Sequence, residues 1–305
     1  MKFSVFQDSR VGDRNSNEDR LAYSYSRDAL LMAVADGMGG HDGGEIASQI
    51  SVQVMMAAFK RHARPNLPDP FLFLQKYIRD AHQAVVNYAH KYYLPDPPRT
   101  TLVVCLVQDN IAYWAHSGDS RLYLLRNGRV FAQTRDHSRV RLLLDSGIIT
   151  PEQALNHPDR NKIYSCLGGI QTPEVDYSRK TPLYSGDVVL LCTDGVWGGL
   201  STSYIERVLS HGELNRVVPE LISESERRNG RGGDNLSIIA VRWAEDYKEP
   251  VGTNSIMTQS MGVSQISTRF DVKNEKASYT PLTDDEINSA IDDIRQAIEQ
   301  LDGKQ

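Results

Sequence analysis

Cysteine is scarce in this 305-residue chain: Cys105, Cys166 and Cys192 are the only three, and no two form a CxxC pair. An odd, scattered set excludes a disulfide framework and a zinc knuckle. Cys105 and Cys192 lie inside the apolar runs TTLVVCLV and DVVLLCTD, where a free thiol packs as a small hydrophobe. None of the three has an arginine six residues on, which excludes a thiolate cradle for phosphate. GxxxxGK[ST], HExxH and HxH are absent too, removing the P-loop and the common histidine zinc sites. Basic charge is in deficit, with 34 Lys and Arg against 39 Asp and Glu for a net charge of −5. Such a chain offers no basic track, so neither nucleic acid nor an anionic membrane is an expected partner. No apolar run reaches the roughly eighteen residues of a membrane span, and MKFSVFQDSR has no apolar signal core. A cytoplasmic location is the expectation.

What the chain does have is periodicity. EIASQISVQVMMAAFKRH places Ile46, Ile50, Val54 and Ala57 at helical spacing, with Met55 and Met56 as core filler. FLFLQKYIRDAHQAVVNYAHKYY predicts a second helix. From Thr100 the period becomes two, and TTLVVCLVQDNIAYWAHSGDSRLYLLRNGRVFAQT reads as four strands joined by short turns. Asn127-Gly128 suits a type I′ hairpin, and turns this short make successive strands antiparallel. The polar stretch after Arg135 predicts short helices at SRVRLLLDSG and TPEQALNH. A strand at DVVLLC, helices at STSYIERVLSH and LNRVVPELISESERRNG, and a last strand at NLSIIAVRW follow. Helices segregated from antiparallel strands give an α+β class. The expected organisation is a catalytic unit over 1–244, a polar flexible linker over 245–282, and an amphipathic helix over 283–305. That helix begins with Thr283 and Glu286 in capping-box spacing and carries a stripe of Ile287, Ile291, Ile294, Ile298 and Leu301. The stripe is suited to a partner, to a second copy, or to docking back on the chain's own domain.

Carboxylates recur at strand ends. LLMAVADG ends on Asp36, IAYWAHSGDS on Asp119 and DVVLLCTDG on Asp194, while Asp234 opens the last strand and Asp19 sits in RNSNEDR. Gathered at neighbouring strand ends without cationic neighbours they would repel one another, and a bound cation is the usual remedy. Oxygen ligands alone suit Mn²⁺ or Mg²⁺. Gly37 leaves room for a carbonyl to face a metal, and Gly39 and Gly40 permit close approach of a ligand. Arg14 supplies a planar fork for a phosphate. Together these groups describe phosphate-ester hydrolysis, with cations polarising the phosphoryl oxygens and bringing a bridging water nearer to hydroxide.

The ordered set RNSNED, VADGMGG, RTTL, HSGDSR, TRDHS, CTDG and GGDN, spanning residues 10–243, resembles the metal-dependent type 2C Ser/Thr protein phosphatases in their bacterial form. The resemblance implies a four-layer α-β-β-α sandwich of two antiparallel sheets flanked by helices, with two core Mn²⁺ or Mg²⁺ ions and a weaker third. It implies that Asp36 bridges both core ions, that Gly37 binds one through its carbonyl, and that Asp194 and Asp234 complete the second. Asp119 would hold the third ion with Asp194. Glu18, Asp19 and Asn235 would support the ions from behind, and Arg14 would bind the substrate phosphate. The implied partners are phosphorylated proteins, the substrates of a cognate Ser/Thr kinase, selected partly by a mobile flap at 139–169.

Two positions depart from the pattern. Met38 stands where animal-type members carry the histidine proposed as general acid, which leaves a metal-bound water, His41 or His137 as proton donors. His116, on an apolar strand, reads as a satisfied core histidine. Arg99 replaces the usual glycine before Thr100-Thr101. A two-metal nuclease would need a basic track that the charge balance denies. A catalytically idle phosphoprotein-binding scaffold would be marked by loss of a metal ligand, yet Asp36, Asp194 and Asp234 are all present.

Overall fold

Asn127 and Gly128, at φ 52° and 73°, reverse the chain between β8 (Arg121–Arg126) and β9 (Arg129–Gln133) in the manner Asn-Gly favours. The hairpin forms one edge of a sheet ordered β1 (Phe3–Arg10), β13 (Leu236–Trp243), β12 (Val188–Cys192), β8, β9. The computed structural model describes residues 1–39, 43–155 and 157–248. The second sheet runs β10 (Asp176–Tyr177), β7 (Ile111–Ser117), β6 (Leu102–Gln108), β3 (Ala29–Ala35), β2 (Arg20–Tyr25), with β11 (Thr181–Pro182) also beside β7. A two-residue ladder joins β4 (Gly37–Met38) to β5 (Arg99–Thr100). All these pairings are antiparallel.

The four expected strands after Thr100 are present, but they do not form one meander. β6 and β7 pair in one sheet and β8 and β9 in the other, with the chain crossing at Gly118, Asp119 and Ser120. Gly118 has φ 105°, and a Cβ there would lie 2.6 Å from the Thr101 methyl, so the crossing requires glycine. Tertiary packing decides this split, because strand period fixes inside and outside but not which sheet a strand joins.

Alternation along β3 shows the layering. Ala29, Leu31, Ala33 and Ala35 face α1 (Gly43–His62) and α2 (Pro70–Lys91), whereas Leu30, Met32 and Val34 meet Leu122, Leu124, Leu191 and Ile239 between the sheets. Both faces are covered, which explains an unbroken apolar strand. Leu125, Leu190, Cys192 and Ile238 on the outer face of the first sheet pack under α6 (Thr202–Ser210) and α7 (Leu214–Asn229). The result is the four-layer α-β-β-α sandwich. Cys105 lies between the sheets and Cys192 beneath the helices, both as core residues.

Helix starts follow local chemistry. Asp69 accepts from the Leu72 N–H at 3.0 Å ahead of Pro70, and Ser201 accepts from the Tyr204 N–H at 3.3 Å. Ser138 accepts from the Arg141 N–H at 3.2 Å to open α3 (Arg139–Asp145), and α4 (Pro151–Leu155) follows. Strands β1 and β2 were not legible, because their residues are half-buried and mixed in polarity. The first residues of the expected 245–282 linker are bonded to the domain. Ala244 donates to the Lys2 carbonyl at 3.0 Å and Tyr247 to the Leu183 carbonyl at 2.9 Å, tying this stretch to the domain. Most of the linker and all of the 283–305 helix lie outside the described residues.

Candidate metal centre

Asp36 follows β3 directly, and two threonines hold its backbone. Its N–H donates to Thr101 Oγ1 at 3.0 Å, while its carbonyl accepts from the Thr101 N–H at 2.9 Å and from Thr100 Oγ1 at 2.8 Å. Thr101 Oγ1 also bonds Ser120 Oγ at 2.7 Å, linking Asp36 to the crossover that bears Asp119. These roles of Thr100, Thr101 and Ser120 were missed in the sequence, although the RTTL motif carried the signal. Arg99 simply extends β5 opposite Met38, its side chain 3.5 Å from Asp96, so the missing glycine leaves the turn intact. Gly37 has a reason beyond the expected one. A Cβ there would meet the Gly44 carbonyl at 2.2 Å, and one on Gly44 would meet Glu18 Oε2 at 1.9 Å. The glycines let two backbones and the Glu18 carboxylate close together.

Asp194 opens the short helix α5 (Asp194–Trp197), and its Oδ1 is buried with no partner among the described residues. Asp19 is 3% exposed. Its Oδ2 accepts from Thr193 Oγ1 at 2.9 Å and its Oδ1 is likewise unpartnered. Asp119 is buried on the crossover, where the Trp197 indole N–H donates to its carbonyl at 3.0 Å. Asp234 Oδ2 accepts from Arg14 at 2.8 Å, and its Oδ1 accepts from the Asn235 N–H at 2.9 Å. The Asn235 side chain holds the N-terminal loop: Nδ2 donates to the carbonyls of Val11 at 2.7 Å and Ser16 at 2.9 Å.

The acids feel one another strongly. Burial raises Asp36 well above the usual carboxylate range, and Asp19, Asp194, Asp119 and Asp234 raise it further. Burial and then Asp194 and Asp136 do the same to Asp119, with Arg121 opposing. Asp19 is pushed up to about 7 by burial, against the Thr193 and Ser237 hydroxyls, with Asp194 and Asp234 adding to the rise. Asp194 rises to about 6, chiefly by burial and then by Asp234, while hydrogen bonding with Asp36 opposes. Five acids from separate segments thus come together, Asp19 and Asp119 buried and Asp234 at the cavity edge, with two orphaned oxygens and no nitrogen or sulfur donor among them. That donor set fits hard divalent cations.

His137 packs against the crossover that bears Asp119. Its Nδ1 accepts from the Gly118 N–H at 3.3 Å, its ring stacks on His116 at 4.7 Å, and it does not line the cavity beside the acids. His116 Nε2 donates to the Arg135 carbonyl at 2.7 Å, while its Nδ1 has no partner among the described residues. Gly40 and His41 lie outside the described residues, and Gly39 follows β4 beside Gly44. The cavity, about 630 Å³, is bordered by Arg14, Asp194, Asp234 and Trp197 and runs between the flap helices and α7.

Residues 7–223 match the family profile described as protein phosphatase 2C. The chain belongs to the protein phosphatase 2C family. It is a metal-dependent Ser/Thr protein phosphatase of the bacterial type, as the motif order implied. It is similar to the Serine/threonine phosphatase stp of Listeria innocua, 33% identical over 239 residues that cover 77% of this chain and 94% of that one. It is also similar to the Protein phosphatase PhpP of Streptococcus pneumoniae, 31% identical over 82% of this chain and all of that one. Among solved structures, the Mycobacterium tuberculosis phosphatase PstP/Ppp superposes with TM-score 0.70 at 31% identity, covering 80% of this chain and 99% of that one. A PstP catalytic domain in complex with two manganese ions matches with TM-score 0.66 at 32% identity, over 79% of this chain and 97% of that one.

Proposed function

We propose that this type 2C phosphatase removes phosphate from phosphoserine and phosphothreonine in cytoplasmic proteins, the substrates of a cognate Ser/Thr kinase. The observation that carries the reading is the acid cluster with its buried, orphaned Asp19 and Asp194 oxygens. Asp36, the Gly37 carbonyl, Asp194 and Asp234 would hold two Mn²⁺ or Mg²⁺ ions, and Asp119 with Asp194 a weaker third. Bound there, the cations would polarise the phosphoryl oxygens and make a water acidic enough to attack at neutral pH.

The chain's own residues do the rest. Arg14 lines the cavity and spends one N–H on Asp234, leaving donors of its half-exposed fork for two phosphoryl oxygens. Thr100 and Thr101 fix Asp36 from the backbone side, so the ligand carboxylate is held before a cation arrives. Thr193 orients Asp19, and Asn235 fixes the loop that delivers Arg14, Glu18 and Asp19. Met38 cannot donate a proton to the leaving serine or threonine oxygen, and the His137 ring is engaged with the Gly118 N–H and stacked on His116. A water, or His41 outside the described residues, is left as the proton source. A scaffold without catalysis would not need to retain five mutually repelling acids.

Among the described residues no helix is long and apolar enough to cross a membrane. The reading is tested by release of phosphate from phosphothreonine peptides. Activity should vanish on exhaustive chelation, return with Mn²⁺ or Mg²⁺, and be absent in Asp36→Asn. Turnover that survives chelation, or a trapped phosphoryl-enzyme, would overturn it.

A further inference from the structure

The cavity beside the acids carries more positive charge than the chemistry there uses. Arg141, Arg160 and Arg228 line it together with Arg14 and Arg121. Arg121 is already matched, gripping Asp136 with two bonds at 2.8 and 2.7 Å and stacking on Trp197. Asp194 and Asp234 belong to the cation centre. The other three arginines lack a full complement of acid. Arg141 lies 2.9 Å from Asp145 but shares it with Arg135, and Arg228 lies 2.6 Å from Glu224 but shares it with Arg227. Each carboxylate serves two guanidinium groups. Arg160 has no hydrogen bond or ion pair from its side chain among the described residues, because the neighbouring Asp159 is taken by Arg139 at 3.0 Å and Lys162 at 2.8 Å.

Exposed arginines are common where they do nothing beyond keeping a surface soluble. Here three from two separate elements, the flap and α7, converge on the one cavity that contains the phosphate-binding Arg14. A wall of this kind focuses positive potential on whatever lies next to the scissile phosphate. We propose that Arg160, flanked by Arg141 and Arg228, forms an anion subsite that binds a second negative group near the phosphoresidue of the substrate. That group is a glutamate or aspartate carboxylate or a further phosphate on the same chain. A guanidinium fork suits either, and an unpaired one has no partner to release first. The inference rests on the phosphatase reading and adds the class of substrate: acidic or multiply phosphorylated segments.

The test uses the full chain with added Mn²⁺ and three phosphothreonine peptides, flanked by neutral residues, by glutamates, or by a second phosphoserine. Wild type should prefer both anionic peptides over the neutral one by about tenfold in kcat/KM, mostly through KM. The preference should shrink severalfold between 0.1 M and 1 M salt, as the Debye length falls from about 10 Å to about 3 Å. In Arg160→Gln the ratio should fall towards one, in Arg160→Glu it should reverse, and Arg160→Lys should retain part of it. Preference for the doubly phosphorylated peptide alone assigns the subsite to phosphate, and preference for both assigns it to anionic charge in general. Equal rates on all three peptides in wild type, or a ratio unmoved by Arg160→Glu, would overturn the proposal. Failure of the parent reading is seen separately, as absence of phosphate release from every peptide.

Discussion

Asn235 Oδ1 accepts a hydrogen bond from the backbone N–H of Glu18 at 2.8 Å, across 217 residues of sequence. With its two amide bonds to Val11 and Ser16, this one side chain fastens the loop that carries Arg14, Glu18 and Asp19 to the strand that follows Asp234. Asn235→Ala should therefore cost about 2–3 kcal/mol of stability, for three lost bonds to a buried group. It should also lower kcat/KM by about tenfold or more, because Arg14 is no longer placed. Urea denaturation beside kinetics checks both. An Asn235→Ala protein with the wild-type midpoint and rate would remove the loop-clamp account.

The cation ligands should separate by role. Asp36→Ala should lose turnover by about a thousandfold or more, since on the proposed reading it would take away a ligand of the core ions. Asp119→Ala should lower the number of bound cations by one while keeping the core ions, and impair turnover more mildly. Metal stoichiometry by mass spectrometry, measured with turnover, decides this. Asp119→Ala with full stoichiometry and full activity would refute the third-ion assignment.

Without cations, the protein should become less stable as pH rises. Asp19 at about 7 and Asp194 at about 6 both stand above the ordinary 3.8. Folding of the metal-free chain therefore favours their protonated forms. The penalty for ionising them is absent below pH 4, grows between 4 and 7, and is complete above 7. Melting temperatures of chelated protein should fall across that window, and added Mn²⁺ should raise them most at pH 8. A chelated protein whose melting temperature climbs from pH 5 to 8 would contradict the repulsive cluster.

Met38 sets the leaving-group dependence. A good aryl leaving group departs with little protonation, whereas an alkoxide needs a proton, so rates on substituted aryl phosphates should fall steeply with leaving-group pKa. His137→Gln should leave that slope unchanged if the ring serves to brace the Gly118 N–H and stack on His116 and does not supply a proton. A shallow slope that steepens on substituting His41 or His137 would identify that histidine as the acid.

Ordered contacts with the domain continue to Tyr247, whose N–H reaches the Leu183 carbonyl at 2.9 Å. Truncation after Tyr247 should keep aryl phosphate hydrolysis while weakening action on a native phosphoprotein or changing oligomeric size. Loss of folding on truncation would show that the 283–305 segment is part of the domain.

The sequence alone placed α1 to α4, α6 and α7, the strands of strong period, the Asn-Gly hairpin and the acids that the fold brings together. Local chemistry governs each of these: apolar period, turn residues, and carboxylates placed where strands end. It also exposed the absence of an acid at Met38. Only the tertiary structure decided that β7 and β8 part company at Gly118, which places Asp119 between the sheets next to Asp194. It likewise revealed that Thr100, Thr101, Thr193 and Asn235 hold the acids in place, and that Gly37 and Gly44 are glycines because two backbones and Glu18 meet there. Those relationships join residues far apart in the chain through backbone approach and shared desolvation, and no periodicity records them. The same is true of Arg160, whose lack of a partner among the described residues follows from how Arg139 and Lys162 occupy Asp159.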